Sequence, residues 1–208
     1  MNPDRRDPRT IEVIDAHHHC WDLSQGNYPW LQQDYLGERF FLGPYEQLRR
    51  NYLSDDYRAD TEGYRIVGTV HIEAERSRTQ QVEETRWLHL LRDRTGLPTV
   101  VVPHVSFTQP DLIEVLTAHT AFAQVRGIRS KPVTASAPGI PVQGQPGTLQ
   151  DPAWLEGLSQ LETFGLSWDL RVPFWHLLEA ADVAKQFPGI PIILNHTGLP
   201  LDRSDEGL

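Results

Sequence analysis

Residues 11–22 read IEVIDAHHHCWD. The β-branched residues at the start of this stretch predict a buried strand, and three histidines stand at its end. Because side chains alternate along a strand, His17 and His19 point to one side and His18 to the other. Two imidazoles spaced in this way can bind one metal ion, and neutral imidazole suits zinc. The rival interpretation is a loop or tag-like histidine run, although tags are longer and lie at a chain terminus.

Short β-rich runs alternate with helical patterns along the rest of the chain. The strand runs are residues 11–17, 64–73, 99–105, 124–130, 165–172 and 190–196. The helix candidates are residues 45–52, 78–95, 110–119, 152–164 and 174–187. Strand and helix in alternation predict βαβ units and a parallel sheet. Two long segments, 22–61 and 131–152, interrupt the rhythm and are predicted to be loops, and loops of this length are often functional.

The spacing of the strands indicates which α/β fold to expect. Strand centres recur at intervals of roughly 36 residues, and a (β/α)8 barrel needs eight such units in about 250 residues. Six units are visible in the 208 residues. The sequence therefore predicts a single α/β domain over residues 1–208, and the spacing fits an incomplete (β/α)8 TIM barrel that lacks its last two βα units. From spacing alone, an open six-stranded sheet remains the alternative.

Composition excludes several classes of function. The formal net charge is −9 and no basic stripe occurs, so nucleic acid is a poor candidate partner. No apolar run is long enough to span a bilayer, and the N-terminal residues lack the apolar region of a secretory signal. Cys20 is the single cysteine, which excludes an internal disulfide and fits a reducing cytoplasm. We expect a cytoplasmic protein with a small-molecule substrate and no membrane partner, and leave homo-oligomer assembly open.

Two further strand ends carry candidate catalytic groups. Residues 192–200 read IILNHTGLP, so His196 ends the sixth strand and a sharp turn follows at Gly198 and Pro200. A lone histidine there is more often a hydrogen-bonded structural residue, but beside the first-strand pair it is favoured as a ligand or electrophile. Glu73 follows the second strand on the face of His71. It is predicted to complete a metal shell, to hold a ligand histidine or to pair with an arginine.

The remaining candidates are substrate contacts. Arg129 follows the fourth strand, where its planar fork can bind a carboxylate, with a plain ion pair as the alternative. Asp169 lies on one face of the fifth strand with Arg171, and the two either reach the site or form a buried pair. Trp21 and Trp30 are candidates to line a pocket, although tryptophan is more often part of a core.

These stretches together resemble the amidohydrolase superfamily. More narrowly, they resemble its amidohydrolase-related lactonase group, which includes L-fuconolactonase, L-rhamnonolactonase and 2-pyrone-4,6-dicarboxylate lactonase. The stretches that carry the resemblance are residues 14–22, 28–31, 71–74, 125–129 and 194–198, in this order. They cover nearly the whole chain, and an ordered set at strand ends is more specific than a lone His-x-His.

The resemblance implies a (β/α)8 barrel that hydrolyses a C–O or C–N bond, here in a lactone. It implies that His17, His19 and His196 bind a divalent metal, zinc first of all, although some members of the group work without one. His196 and Glu73 are then the catalytic candidates of this chain. The family's catalytic aspartate stands in a Gly-Ser-Asp-Trp-Pro-like stretch that the 208 residues do not contain. A C-terminally truncated barrel is therefore expected.

Two alternatives to a lactonase stay open. A sister branch of the superfamily uses the same barrel and histidines for metal-dependent decarboxylation. The chain could also be an inactive fragment, or a domain that a partner chain completes, because an incomplete barrel exposes the edges of its sheet.

Overall fold

The computed structural model describes residues 11–33, 35–37, 40 and 43–201. These residues form six β-strands and six α-helices. The strands are β1 (Glu12–His18), β2 (Arg65–Ile72), β3 (Val100–Val102), β4 (Gly127–Ile128), β5 (Ser167–Leu170) and β6 (Ile192–Leu194). The α-helices are α1 (Pro29–Gln32), α2 (Ser54–Asp60), α3 (Gln81–Thr95), α4 (Leu112–Thr120), α5 (Pro152–Phe164) and α6 (Leu177–Gln186). Each of the six predicted strand runs overlaps an observed strand.

The described strands form two sheets, ordered β1-β2-β3 and β4-β5-β6. The pairs β1–β2, β4–β5 and β5–β6 are parallel, as the alternation of strands and helices predicts. The α/β class is confirmed, and the topology is consistent with a partial TIM barrel. By its contacts the chain divides into two compact units, Met1–Val101 (unit 1) and Val102–Leu208 (unit 2), which are described separately below. The single domain over residues 1–208 stays a prediction.

Local sequence signals explain the helix ends best at α5. The carboxylate of Asp151 accepts a hydrogen bond from the backbone N–H of Ala153 at 3.0 Å, and Pro152 occupies the first helical position. The helix ends at Gly165, whose φ of 64° lies in the left-handed region that favours glycine. The predicted helix over residues 152–164 is therefore confirmed.

The predicted helix over residues 45–52 is wrong. Only Glu46–Leu48 form a short 3-10 turn there. Tyr52 is held in an extended bridge with Trp21, through two backbone hydrogen bonds of 2.9 and 3.0 Å. The helix α2 instead begins at Ser54, where the carboxylate of Asp56 accepts a hydrogen bond from the backbone N–H of Leu53. A long-range backbone pairing has overridden local helix propensity.

Each unit has its own core. In unit 1, aromatic side chains from the segment between β1 and β2 pack together in a cluster. The aromatic cluster consists of Trp21, Tyr28, Trp30, Tyr35, Phe40, Tyr45 and Tyr52. In unit 2, α5 packs on β5 through Trp154 and Trp168, whose ring centroids are 5.1 Å apart. Gly157 of α5 lies so close to Phe107 that an added Cβ would overlap the carbonyl oxygen of Phe107. No helix in the described part of the chain is long and apolar enough to cross a membrane.

The segment between β4 and α5 is an ordered loop, as predicted. His176 holds it, because Nε2 of His176 accepts a hydrogen bond of 2.9 Å from the backbone N–H of Ala135. Nδ1 of the same ring must then carry the hydrogen, and it donates to Glu179 at 3.0 Å. Gln143 and Gln150 of the loop also donate to the Glu179 carboxylate. The loop is thereby fixed to α6.

Candidate active site

The end of β1 brings two of the predicted histidines together. The ring centroids of His17 and His19 are 5.1 Å apart and the rings are nearly perpendicular. Nδ1 of His19 donates a hydrogen bond of 2.8 Å to the carbonyl oxygen of Ile72, because a carbonyl oxygen can only accept. This bond assigns the tautomer, so that the lone pair of the neutral ring lies on Nε2. His19 is therefore prepared to bind a metal or to accept a proton through Nε2.

His18 and His71 form a buried counterpart to that pair. The ring of His18 lies 4.7 Å from the ring of Tyr57 and 5.5 Å from that of His71. Burial lowers the pKa of His18 to about 4, so this imidazole is neutral near pH 7. Nε2 of His71 donates a hydrogen bond of 3.2 Å to the backbone carbonyl oxygen of Cys20. The thiol of Cys20 is also buried, and burial raises its pKa to about 12. The ring of His71 also lies 6.1 Å from the ring of His19, so the two pairs of histidines are in contact.

Glu73 follows β2 with its carboxylate completely buried. Its Oε2 accepts hydrogen bonds from the backbone N–H of Glu75 at 2.9 Å and from Nη1 of Arg78 at 3.4 Å. Glu73 had three predicted roles, and the structure shows one of them, the ion pair with an arginine, here Arg78. Its catalytic role stays a prediction.

Glu84 is a buried carboxyl that the sequence analysis missed. It lies on α3 and accepts a hydrogen bond of 2.9 Å from the backbone N–H of Ala74, next to Glu73. Burial, and then the negative charge of Glu73, raise the pKa of Glu84 to about 7. A signal was present in the sequence, because Glu84 precedes Leu88 and Leu91 at helical spacing and so belongs to the apolar face of α3.

In unit 2, the carboxyl ends of three adjacent strands collect the other candidates. Asp169 of β5 aligns with Ile193 of β6, and Ile128 of β4 aligns with Trp168 of β5. Arg129, Asp169 and His196 are therefore brought to the same edge of this sheet. Arg129 is almost completely buried. Its backbone N–H donates a hydrogen bond to the carbonyl oxygen of Pro103, and its backbone carbonyl oxygen accepts one from Nδ1 of His104 at 3.0 Å.

Asp169 is held by Asn195, a residue that the sequence analysis did not select. Nδ2 of Asn195 donates to Oδ1 of Asp169 at 3.0 Å, and both side chains are buried. Burial raises the pKa of Asp169, while Asn195 and the charge of Arg129 oppose that shift. The buried partner of Asp169 is thus an amide, and its predicted contact with substrate stays a prediction.

His196 is presented by a turn with unusual backbone geometry. The φ angles of His196, Thr197 and Leu199 are 51°, 52° and 46°, in the left-handed region that costs about 1 to 2 kcal/mol for a residue with a Cβ. Such strain is typical of functional sites. Burial, and then the positive charges of Arg129, Arg171 and Lys131, lower the pKa of His196. The edge of this sheet therefore presents a neutral imidazole among three cations.

The two candidate pocket tryptophans belong to the aromatic cluster. The indole N–H of Trp21 donates to the carbonyl oxygen of Arg50 at 2.6 Å, and that of Trp30 donates to Ala74 at 3.0 Å. The ring of Trp30 also stacks on Phe40 with centroids 6.1 Å apart. Both residues pack the loop after β1, and their contact with substrate stays a prediction.

The predicted metal ligands fall on both units. His17 and His19 belong to unit 1 and His196 to unit 2, so the three-histidine set stays a prediction. Within residues 11–33, 35–37, 40 and 43–201, no group of three or more His, Cys, Asp or Glu side chains is arranged to hold a metal ion.

A family model and one curated relative each match most of this chain. The family model described as Amidohydrolase matches residues 14–207. A relative from Sinorhizobium fredii (strain NBRC 101917 / NGR234), described as uncharacterized protein y4mH, is 34% identical over 192 residues. That match covers 92% of this chain and 64% of the relative, so the chain spans less than two thirds of the relative's length.

Three solved structures share the fold. An amidohydrolase from Burkholderia multivorans with bound zinc matches with a TM-score of 0.64 and 20% identity, over 91% of this chain and 59% of that one. A candidate 2-pyrone-4,6-dicarboxylic acid hydrolase from Pseudomonas putida matches with a TM-score of 0.56 and 15% identity, over 89% and 57% of the two chains. A 2,6-dihydroxybenzoate decarboxylase complexed with 2,6-dihydroxybenzoate matches with a TM-score of 0.59 and 14% identity, over 91% and 68%. At these identities the likeness extends to the fold alone.

Proposed function

Since this chain belongs to the amidohydrolase family, we propose that it acts as a metal-dependent hydrolase, and specifically as a lactonase whose substrate carries a carboxylate. The observation that carries the proposal is the pair of adjacent imidazoles at the end of β1, with the His19 tautomer assigned by Ile72. In parallel α/β barrels, the strand ends are where active sites form.

The proposed metal ligands are His17, His19 and His196. The donor set fits a divalent ion of the zinc type, because Nδ1 of His19 is bound to a carbonyl oxygen and the ring nitrogen opposite it carries the lone pair. When bound, such an ion polarises the lactone carbonyl and lowers the pKa of a coordinated water. The zinc in the Burkholderia multivorans structure agrees with this choice of metal.

The substrate is proposed to be anionic. Arg129, Lys131 and Arg171 all act electrostatically on His196, so the edge of the β4-β5-β6 sheet is strongly cationic. A guanidinium fork binds a carboxylate with two parallel hydrogen bonds, which orients it as well as attracting it. A lactone of a dicarboxylic acid satisfies this requirement, because one carboxylate stays free when the other forms the ring ester. A sugar-acid lactone satisfies it where the sugar acid has a second carboxyl. The description of the Pseudomonas putida relative, which names a dicarboxylic acid, supports the same class.

The reaction is the addition of water to the lactone carbonyl, followed by cleavage of the ring C–O bond. The alkoxide that leaves takes a proton, and the product is an open-chain hydroxy acid. His196, neutral because of burial and its cationic neighbours, is proposed to stabilise the oxyanion or to serve as a ligand. Glu73 is the carboxylate of this chain proposed to move a proton. Trp21, Trp30 and Asp169 are proposed to contact or shape the substrate site.

The test is an assay of a panel of carboxylated lactones with zinc-loaded protein. The variants His17→Ala and His19→Ala are expected to lose hydrolysis. The control variant His89→Ala is expected to retain it, because His89 lies on the exposed surface of α3, where it pairs with Asp93. Release of carbon dioxide from an aromatic acid, without lactone opening, would instead favour a decarboxylase of the kind to which the chain is structurally similar. Absence of both activities, or unchanged activity after loss of the two histidines, would refute the proposal.

We propose that the protein acts in the cytoplasm. The single cysteine is a buried thiol, which fits the reducing cytoplasm. We propose a small-molecule substrate and no nucleic-acid or membrane partner.

A further inference from the structure

One extra residue is inserted into β1 between Asp15 and His18. Asp15 aligns with Thr69 of β2 and His18 aligns with His71, so three steps along β1 face two steps along β2. A β-bulge of this kind takes one residue out of the regular ladder and re-aims its side chain. The insertion falls between Asp15 and His18, so the bulge sets the direction of His17.

The carboxylate of Asp15 holds the bulge from two sides. Its Oδ1 accepts a hydrogen bond of 3.1 Å from the backbone N–H of His17. Its Oδ2 accepts a hydrogen bond of 2.9 Å from the hydroxyl of Tyr57. The carboxylate therefore connects the irregular part of β1 to α2.

Tyr57 is itself firmly held. Its side chain is buried, and its ring packs against His18 at 4.7 Å. Burial and the bond to Asp15 raise the pKa of Tyr57, so the hydroxyl remains protonated and continues to donate. Tyr57 thus contacts the bulge through its hydroxyl and the neighbouring histidine through its ring.

We propose that Asp15 and Tyr57 form a latch that holds the His17 bulge in the geometry needed for His17 and His19 to share one metal ion. The proposal rests on the proposed function, because that function requires the shared metal. Neither latch residue is a metal ligand in it. Both are positioning residues, and they act because metal–imidazole bonds require a correctly directed ring, which hydrogen-bonded outer residues supply.

The first test needs no metal. Amide hydrogen exchange at His17 is measured in the wild-type chain and in Tyr57→Phe, which removes the hydroxyl and keeps the ring. The matched control is Tyr52→Phe, since the Tyr52 hydroxyl also donates to an aspartate, Asp60 of α2, at 2.7 Å. We expect His17 to exchange about fivefold faster in Tyr57→Phe, the effect of one lost hydrogen bond, and at the wild-type rate in Tyr52→Phe.

The second test measures zinc alone, by competition with a chelator. Loss of an outer hydrogen bond at a metal site typically weakens binding by about 10- to 100-fold, and this is expected for Tyr57→Phe but not for Tyr52→Phe. Asp15→Asn keeps an oxygen for the His17 N–H, so it should bind zinc more tightly than Asp15→Ala. Denaturant unfolding of all four variants separates this effect from loss of stability.

The outcomes distinguish the latch from the function on which it rests. Unchanged His17 exchange in Tyr57→Phe overturns the latch, whatever the zinc result. Faster exchange with unchanged zinc affinity overturns the link between latch and metal. Faster exchange in a chain that binds no zinc in wild-type form refutes both the metal-dependent function and the role of the latch in it, although the two hydrogen bonds themselves stand. Faster exchange together with selective loss of zinc affinity supports the proposal.

Discussion

Glu84 should make the stability of the protein depend on pH in the neutral range. Its pKa is raised from 4.5 to about 7, first by burial and then by the charge of Glu73. A carboxyl with a raised folded-state pKa stabilises the fold below its unfolded pKa, and that contribution is lost as pH rises through the folded pKa. The loss therefore falls between pH 4.5 and about 7. A shift of this size corresponds to about 3 kcal/mol in the free energy of unfolding.

The variant Glu84→Gln tests this directly. A glutamine keeps an oxygen that can accept from the backbone N–H of Ala74, but it cannot ionise. We expect wild-type stability to fall by about 3 kcal/mol more than that of the variant between pH 5 and pH 8. Urea unfolding at pH 5, 6, 7 and 8 measures the difference.

The matched control is Glu83→Gln, the exposed neighbour of Glu84 on α3. It removes the same charge from the same helix, and it should leave the pH dependence as in the wild type. If Glu84→Gln and the wild type lose stability in parallel across this range, the buried carboxyl does not carry a raised pKa and the reasoning fails.

Three other predictions follow from individual contacts. His119 is completely buried and burial lowers its pKa to about 4, so NMR should find its imidazole neutral at pH 6; a titration near 6.5 would contradict this. Gly157→Ala should lower the free energy of unfolding by about 1 to 3 kcal/mol, because the added Cβ meets the carbonyl oxygen of Phe107, whereas at an open helix position the same change stabilises by about 1 kcal/mol. A gain in the urea midpoint would show that α5 moves to accommodate the methyl group. Arg129→Lys should raise KM for a carboxylated lactone about tenfold or more, since the bidentate fork is lost, and should leave KM for an uncharged lactone unchanged; equal effects on both substrates would remove Arg129 from substrate recognition.

The elements that the sequence predicted well are those whose signals are local. The helix over residues 152–164 has an N-terminal Asp151, a proline at its first position and a glycine at its end, and each acts through neighbouring backbone groups. The sequence predicted the six strands as short runs rich in β-branched residues, although every observed strand after β1 is shorter than its predicted run. The failure at residues 45–52 has the opposite origin, because the partner that keeps Tyr52 extended is Trp21, distant along the chain.

At the candidate site, the sequence by itself determined which residue types stand at the strand ends, since strand periodicity and chain order locate His17, His19, Arg129 and His196. Tertiary structure decided their chemistry. The Ile72 carbonyl oxygen selects the tautomer of His19 by accepting a hydrogen bond from Nδ1. The side chain of Asn195 donates a hydrogen bond to the Asp169 carboxylate. Within unit 1, the negative charge of Glu73 helps to raise the pKa of Glu84. The burial of a side chain and the charges near it depend on which distant chain segments come into contact in the folded protein. The residue pattern within one segment does not show which other segments it will contact. The sequence could therefore name the functional groups, and only the folded chain could assign their protonation and direction.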